Sequence, residues 1–201
     1  MEKMSNESSM NIPKKKSVVL LILLHIITLK IYQYFWYLKR TPELNNLNTK
    51  TKAKKGLAIN TLVLYFIIMA LAISLVIIAK MNDISSGKIE FTSVPNSFII
   101  VLISLVVIGL IQLILIIILA FRTRKILNES LTNKGINRKV SGFFTLFFNF
   151  FYLQYEINRI IDDKEMNKRI GPMIWFIILY IVLILIGVAI YLNLINISGF
   201  L

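Results

Sequence analysis

The chain has 201 residues, 57% of them hydrophobic and only 16% charged, and a formal net charge of +13. The charged share is well under the quarter or so usual in soluble domains, and the apolar residues run on with no polar face for water, which excludes an ordinary soluble fold. The lack of cysteine excludes disulfides, thiol catalysis and thiolate metal sites, and a single histidine excludes a histidine-based metal cluster.

Residues 1–16 are polar, carry Lys3, Lys14, Lys15 and Lys16, and read as a disordered basic tail; 17–201 reads as a single membrane domain. A basic lead before a short apolar run imitates a signal peptide. No small-residue cleavage pattern follows, so the segment is expected to be retained. Segment 18–38 is aliphatic from Val18 to Leu29, about 18 Å as a helix and short of a hydrocarbon core of about 30 Å. Lys30 follows, then a knot of Tyr32, Tyr34, Phe35, Trp36 and Tyr37. Extended to Leu38 the helix is long enough, with Lys30 inside it. Thr41 and Pro42 predict the cap and first position of a further short helix.

Segment 57–79 carries no charge and is the first clear span. Gly87 and Pro95 mark turns in loop 80–97, where Lys80 and Lys88 balance Asp83 and Glu90. Segment 98–121 is the second clear span, with Ser104 and Gln112 inside, and its helix is expected to continue through Leu127 and Leu131 to a stop near Gly135. Segment 143–170 opens on a second aromatic run, Phe143 to Asn158. The spacing of Leu153, Ile157, Ile160 and Ile161 predicts an amphipathic helix along the membrane surface, with Glu156, Arg159, Asp162 and Asp163 on its outer side. Gly171 and Pro172 break the chain before a third clear span, 173–192, with Trp175 and Tyr191 at its edges. The fold class expected is an all-α integral membrane protein: three clear transmembrane helices plus two shorter aromatic-rich re-entrant or interfacial segments.

Basic residues flanking apolar spans fix orientation, so the charge argues for topology and against a nucleic-acid partner. The basic loops 39–56 and 122–139 are expected in the cytoplasm, and loop 80–97 and the C-terminus outside, in a multi-pass protein of the cell membrane. If the basic N-terminus is also cytoplasmic, 18–38 must dip in and return, and 140–158 likewise. The alternative is five spans with the N-terminus outside; 143–157 would then cross as a thin span of about 22 Å.

The two aromatic segments echo each other. Thr28-Leu29 matches Thr145-Leu146, and 32–37 falls on 149–154, a weak internal duplication. Lys14–Lys16, Val18–Leu24, Thr28, Ile31-Tyr32, Phe35-Trp36 and Glu43-Leu44-Asn45, with a downstream Tyr152-Leu153-Gln154-Tyr155 and Asn158, form a pattern that resembles the prokaryotic membrane family called domain of unknown function 4234. The resemblance runs from 14 to 192 and implies architecture, not mechanism. Leu29 and Lys30 stand where that family has Phe and Gly. Lysine does not take positive φ cheaply, which argues against a sharp hairpin at residue 30, whereas Asn149 tolerates a left-handed turn.

The clear spans contain no Asp, Glu, Lys, Arg or His, so no catalytic, cofactor-binding or metal-ligating set is expected, and no enzyme and no cofactor. Tyr32, Trp36, Tyr152, Gln154 and Asn158 are candidate contacts to a lipid headgroup or a partner, set against an interfacial aromatic belt and a solvated helix face. Gln112 is a candidate interhelix polar contact. His25 has no acid one helical turn away and reads as structural. The expected partners are the bilayer, with anionic headgroups drawn to the basic loops, and a membrane-protein partner or a homo-oligomer. The function expected is a small membrane scaffold or partner subunit; the alternative is a subunit of an oligomeric transporter or channel.

Overall fold

The computed structural model describes residues 13–82 and 94–161, together with 174, 178, 181, 182, 185, 187 and 188. The chain divides into two compact units, Met1–Ile161 and Asp162–Leu201. The described residues of the second unit are helical; the expected span 173–192 otherwise lies outside the described residues, as do 162–170 and most of loop 80–97. The described part of the first unit is all-α, with helices α1 (Val18–Ile27), α2 (Ile31–Asn45), α3 (Lys55–Met81), α4 (Asn96–Asn133) and α5 (Gly142–Ile161).

α3 and α4 have 27 and 38 residues and are long and apolar enough to cross a membrane. At 1.5 Å per residue they measure about 40 and 57 Å. Much of their apolar surface is uncovered, including Val63, Phe66, Ile73 and Val76 on α3 and Ile100, Ile103, Leu110 and Ile114 on α4. Such continuous exposure is foreign to the core helices of a soluble domain. α4 ends as its sequence predicts. Gly135 sits at φ +74, its amide donates to the Thr132 carbonyl at 3.0 Å, and the Ile136 amide donates to the Leu131 carbonyl at 3.0 Å. That pair of bonds is the Schellman stop, for which glycine is the favoured residue.

α1 stops by the same motif with a residue poorly suited to it. The Leu29 amide donates to the Ile26 carbonyl at 3.1 Å and the Lys30 amide to the His25 carbonyl at 2.8 Å. Leu29 at φ +47 and Lys30 at φ +71 both hold positive φ. The sequence argued against a sharp break at Lys30 because neither residue is a glycine. The break is there, and Thr28 supports it: its hydroxyl donates to the Leu24 carbonyl at 2.6 Å and accepts the Tyr32 amide at 3.0 Å, tying the last turn of α1 to the first of α2. α5 is also broken, at Asn149, where φ is +44. The two breaks do not fall at matching places in the two aromatic segments: one directly follows Thr28, the other comes four residues after Thr145.

Both broken segments double back. Arg40 Nη2 donates to the Lys14 carbonyl at 2.5 Å, across 26 residues. A continuous helix would separate these residues by about 39 Å. Arg138 Nη1 donates to Glu156 Oε2 at 2.6 Å across 18 residues, and the Ser141 amide donates to the Tyr152 hydroxyl at 3.0 Å. Thr41 and Pro42 start no new helix. They lie inside α2, where the Thr41 hydroxyl donates to the Tyr37 carbonyl at 2.9 Å. The proline stands in the last turn, and its missing N–H costs the helix one i→i−4 bond.

The polar ends of the helices gather together. The Asn45 side chain exchanges hydrogen bonds with the backbone of Ala53, at 3.1 and 2.6 Å. Arg122 Nε donates to the Lys52 carbonyl at 2.7 Å. Asn128 Oδ1 accepts the Val140 amide at 2.7 Å, and Arg124 Nε donates to the Val140 carbonyl at 2.8 Å. The loops 46–54 and 134–141 are thereby stitched to the last turns of α4.

Candidate functional site

The core of this assembly lies where α2 faces the second half of α5. The 3.6-residue repeat puts Gln33, Trp36, Tyr37 and Arg40 on one face of α2, all of them buried. On α5 the same repeat turns Leu153, Gln154, Ile157 and Ile160 inward. Polar groups in such a core need partners, and here Gln33, Trp36, Tyr37 and Arg40 each find one across the interface, although Arg40 Nε is left without one.

Gln154 is the hub, with none of its surface exposed. Its Oε1 accepts from Trp36 Nε1 at 2.8 Å and from Arg40 Nη2 at 2.7 Å. Its Nε2 donates to Asn158 Oδ1 at 2.7 Å. Asn158 then clamps the chain entering α1, accepting the Lys16 amide at 3.1 Å and donating to the Lys16 carbonyl at 2.6 Å. Arg40 closes the ring through Lys14 and an ion pair with Glu43, which also accepts the Lys14 amide. Lys14 and Lys16, read as part of a disordered tail, are thus fixed by α2 and α5.

The hinge of α5 is held the same way. Asn149 Oδ1 accepts from the Tyr37 hydroxyl at 2.5 Å and from Gln33 Nε2 at 3.5 Å. The hinge of α1 is met from α3, where the Tyr65 hydroxyl donates to the Leu29 carbonyl. Gln112 of α4 bridges to both neighbours: its Nε2 donates to the Tyr34 hydroxyl at 2.7 Å and to the Thr61 carbonyl at 2.9 Å. Its Oε1 is buried with no partner.

The candidate residues separate by burial. Trp36, Tyr152 and Gln154 are covered by the chain itself, Tyr32 and Asn158 are half-buried, and Gln112 is buried between helices. Glu156, assigned to the outer side of an amphipathic helix, is buried instead, between Arg138 and Arg159. The reason is the return of the chain at Asn149, which lays α5 against α4 and the 134–141 loop. His25 lies in the half-buried layer against the rings of Phe150 and Phe151, with centroids at 5.3 and 5.2 Å.

Arg40 was missed by sequence reasoning. One signal pointed to it: it is the only arginine before Arg122 in a stretch whose other cations are all lysines. A guanidinium, with five donors in a fixed fork, suits a buried site with several acceptors, where an ammonium does not. No group of three or more metal-ligating side chains occurs among the described residues.

A family model described as a domain of unknown function matches residues 16–129. The match takes in α1 to α3 and most of α4, and it stops before Gln154 and Asn158, so it is shorter than the 14–192 expected from the motifs. No curated protein and no solved structure matches the chain. With more than half of its length matched, and with the Leu29-Lys30 hinge and α2 inside the matched region, the chain belongs to the DUF4234 family.

Proposed function

We propose that the chain is a non-enzymatic integral membrane protein, a scaffold or partner subunit in which α3 and α4 cross the bilayer and the two broken segments enter from one side and return. The observation that carries this is the contact of Arg40 with Lys14, which brings both ends of segment 18–38 to the same polar end of the fold. Positive-inside bias makes that end cytoplasmic, since Lys50, Lys52, Lys54, Lys55, Arg122, Arg124 and Lys125 flank it. Tyr65, which holds the Leu29 carbonyl, lies eight residues past Leu57, about 12 Å along α3. The hinge then sits near the bilayer midplane. Hinge backbone at that depth is tolerated because protein groups cover it, Tyr65 at Leu29 and Tyr37 at Asn149. Lys30 is exposed, and a lysine at that depth costs about 2.5–3.5 kcal/mol, which the hinge must offset.

Wedges of this kind fill one leaflet more than the other. They also leave the apolar face of α1 uncovered at Leu20, Leu23 and Ile27, where a partner helix or lipid must pack. The partnerless Oε1 of Gln112 beside a broken helix keeps a transporter or channel subunit as the second reading. The chain lacks cysteine, so single cysteines report topology without background. Ser5→Cys, Asn46→Cys and Lys139→Cys should react with an impermeant thiol reagent from one side, and Ser86→Cys from the other. Reaction of Ser5→Cys from the side opposite Asn46→Cys would overturn the re-entrant arrangement. Native mass spectrometry separates the two roles: a monomer that retains a partner protein supports the scaffold, and a closed homo-oligomer supports the channel.

A further inference from the structure

A groove of about 300 Å³ opens on the outer side of α2, beside the Gln154 network. Ile31, Tyr32, Phe35 and Trp36 wall it toward the hinge, and Lys16 and Lys39 close it at the polar end. Tyr32, Phe35 and Lys39 follow the helical repeat, so one face of α2 grades from aromatic near the hinge to cationic near its polar end. The groove is amphipathic along its length, and its charged end coincides with the basic end of the whole fold.

The cations there lack compensation. Neither Lys16 nor Lys39 forms a salt bridge among the described residues. Glu43, the carboxylate that acts on Lys16, is already held by Arg40 and the Lys14 amide. The Arg40 guanidinium is itself engaged by Lys14, Gln154 and Glu43. Burial, then Arg40 and Lys39, lower the Lys16 pKa below its usual value; Glu43 offsets this in part. A group of cations in such surroundings is stabilised by an anion with several acceptor oxygens.

We propose that this groove binds an anionic phospholipid, its phosphate between Lys16 and Lys39 and the upper part of one acyl chain against Ile31, Tyr32 and Phe35. The volume suits a headgroup with its first methylenes and not a whole lipid, so the rest of the chain stays in the bilayer. The inference rests on the membrane reading above: it supplies the lipid class that the re-entrant wedge selects. Bound at the clamp between Lys16 and Asn158, the lipid fixes the point where the chain enters α1.

Trp36 lines the groove and supplies the readout. Trp175→Phe leaves Trp36 as the single tryptophan, since the chain has two. The full chain is reconstituted in vesicles containing either brominated phosphatidylglycerol or brominated phosphatidylcholine at equal bromine content. The anionic lipid is expected to quench Trp36 in preference to the neutral one. Lys16→Gln and Lys39→Gln should each lower that preference about fivefold, the effect of one basic side chain near an anionic lipid surface. Phe35→Ala, at an exposed position, should weaken quenching by both lipids with the charge pair intact. All three sites are at least partly exposed, and helix content measured by circular dichroism checks that the variants fold. Equal quenching by the two lipids, or a preference kept by the double lysine variant, would overturn the proposal. Relief of quenching by millimolar inorganic phosphate, without a matching effect of sulfate at equal ionic strength, would assign the site to free phosphate and overturn the lipid reading. Failure of the chain to enter vesicles at all would instead count against the membrane role itself.

Discussion

Arg40 and Gln154 lie 114 residues apart and meet at 2.7 Å with neither side chain exposed. One oxygen, Gln154 Oε1, serves both Arg40 and Trp36 and so fastens α2 to α5. Gln154→Leu keeps the volume and removes the acceptor. It leaves an indole N–H and a guanidinium N–H buried without a partner, at about 1–3 kcal/mol each. The variant should melt several degrees lower in detergent. Arg40→Ala should cost about 3 kcal/mol, because it strips Glu43 of its ion pair and frees Lys14. In a double-mutant cycle the two losses should fall short of their sum, since they remove parts of one network; full additivity would refute the hub.

The hinge of α1 stores backbone strain. Leu29 and Lys30 hold positive φ without being glycine, at a cost of about 1–2 kcal/mol per residue. Lys30→Gly should therefore stabilise the fold by about 1 kcal/mol, whereas Lys30→Ala should not. Thermal melts of the three proteins check this. An Ala variant as stable as the Gly variant would show that the effect belongs to the lost charge and not to φ.

Gln112→Leu removes the bonds to Tyr34 and Thr61 and should destabilise the packing of α2, α3 and α4 by about 0.6–2 kcal/mol. Tyr34→Phe removes one of the same bonds. The double variant should lose less than the two single losses together. Its unfolding in denaturing detergent, followed by circular dichroism, gives the comparison.

Glu129 sits near the C-terminal end of α4 and accepts from Thr51, amide at 2.7 Å and hydroxyl at 2.5 Å. These bonds, the hydroxyl first, hold its carboxyl below the usual 4.5. A depressed carboxylate pKa contributes stability that is complete above the unfolded value and is lost as pH falls through the lower folded one. The loop at Thr51 should therefore stay protected from hydrogen exchange at neutral pH and open only on acidification below the usual carboxylate value. Glu129→Gln should flatten that dependence; an unchanged acid transition in the variant would refute it.

The long apolar elements were legible in the sequence because their cause is local. Uninterrupted apolar runs of about 18 residues or more read as helices by their length, so segments 57–79 and 98–121 reappear inside α3 and α4, and Gly135 ends α4 where its φ permits. The turn capacity of Asn149 was also legible, since asparagine tolerates positive φ. A bend in segment 18–38 was legible from the basic residues at both its ends; a sharp hinge at Leu29-Lys30 was not. Its residues argue against it, and it persists because Thr28 ties the two helices and Tyr65 holds the exposed carbonyl. The burial of Glu156 and the hub at Gln154 were hidden for the same reason. Each depends on partners far along the chain, Arg138 for one and Trp36 and Arg40 for the other, which meet only after both segments have folded back. The sequence by itself determined which stretches are helical and where the charge lies. Tertiary structure decided where the helices break, because a strained backbone is kept only when distant groups satisfy it.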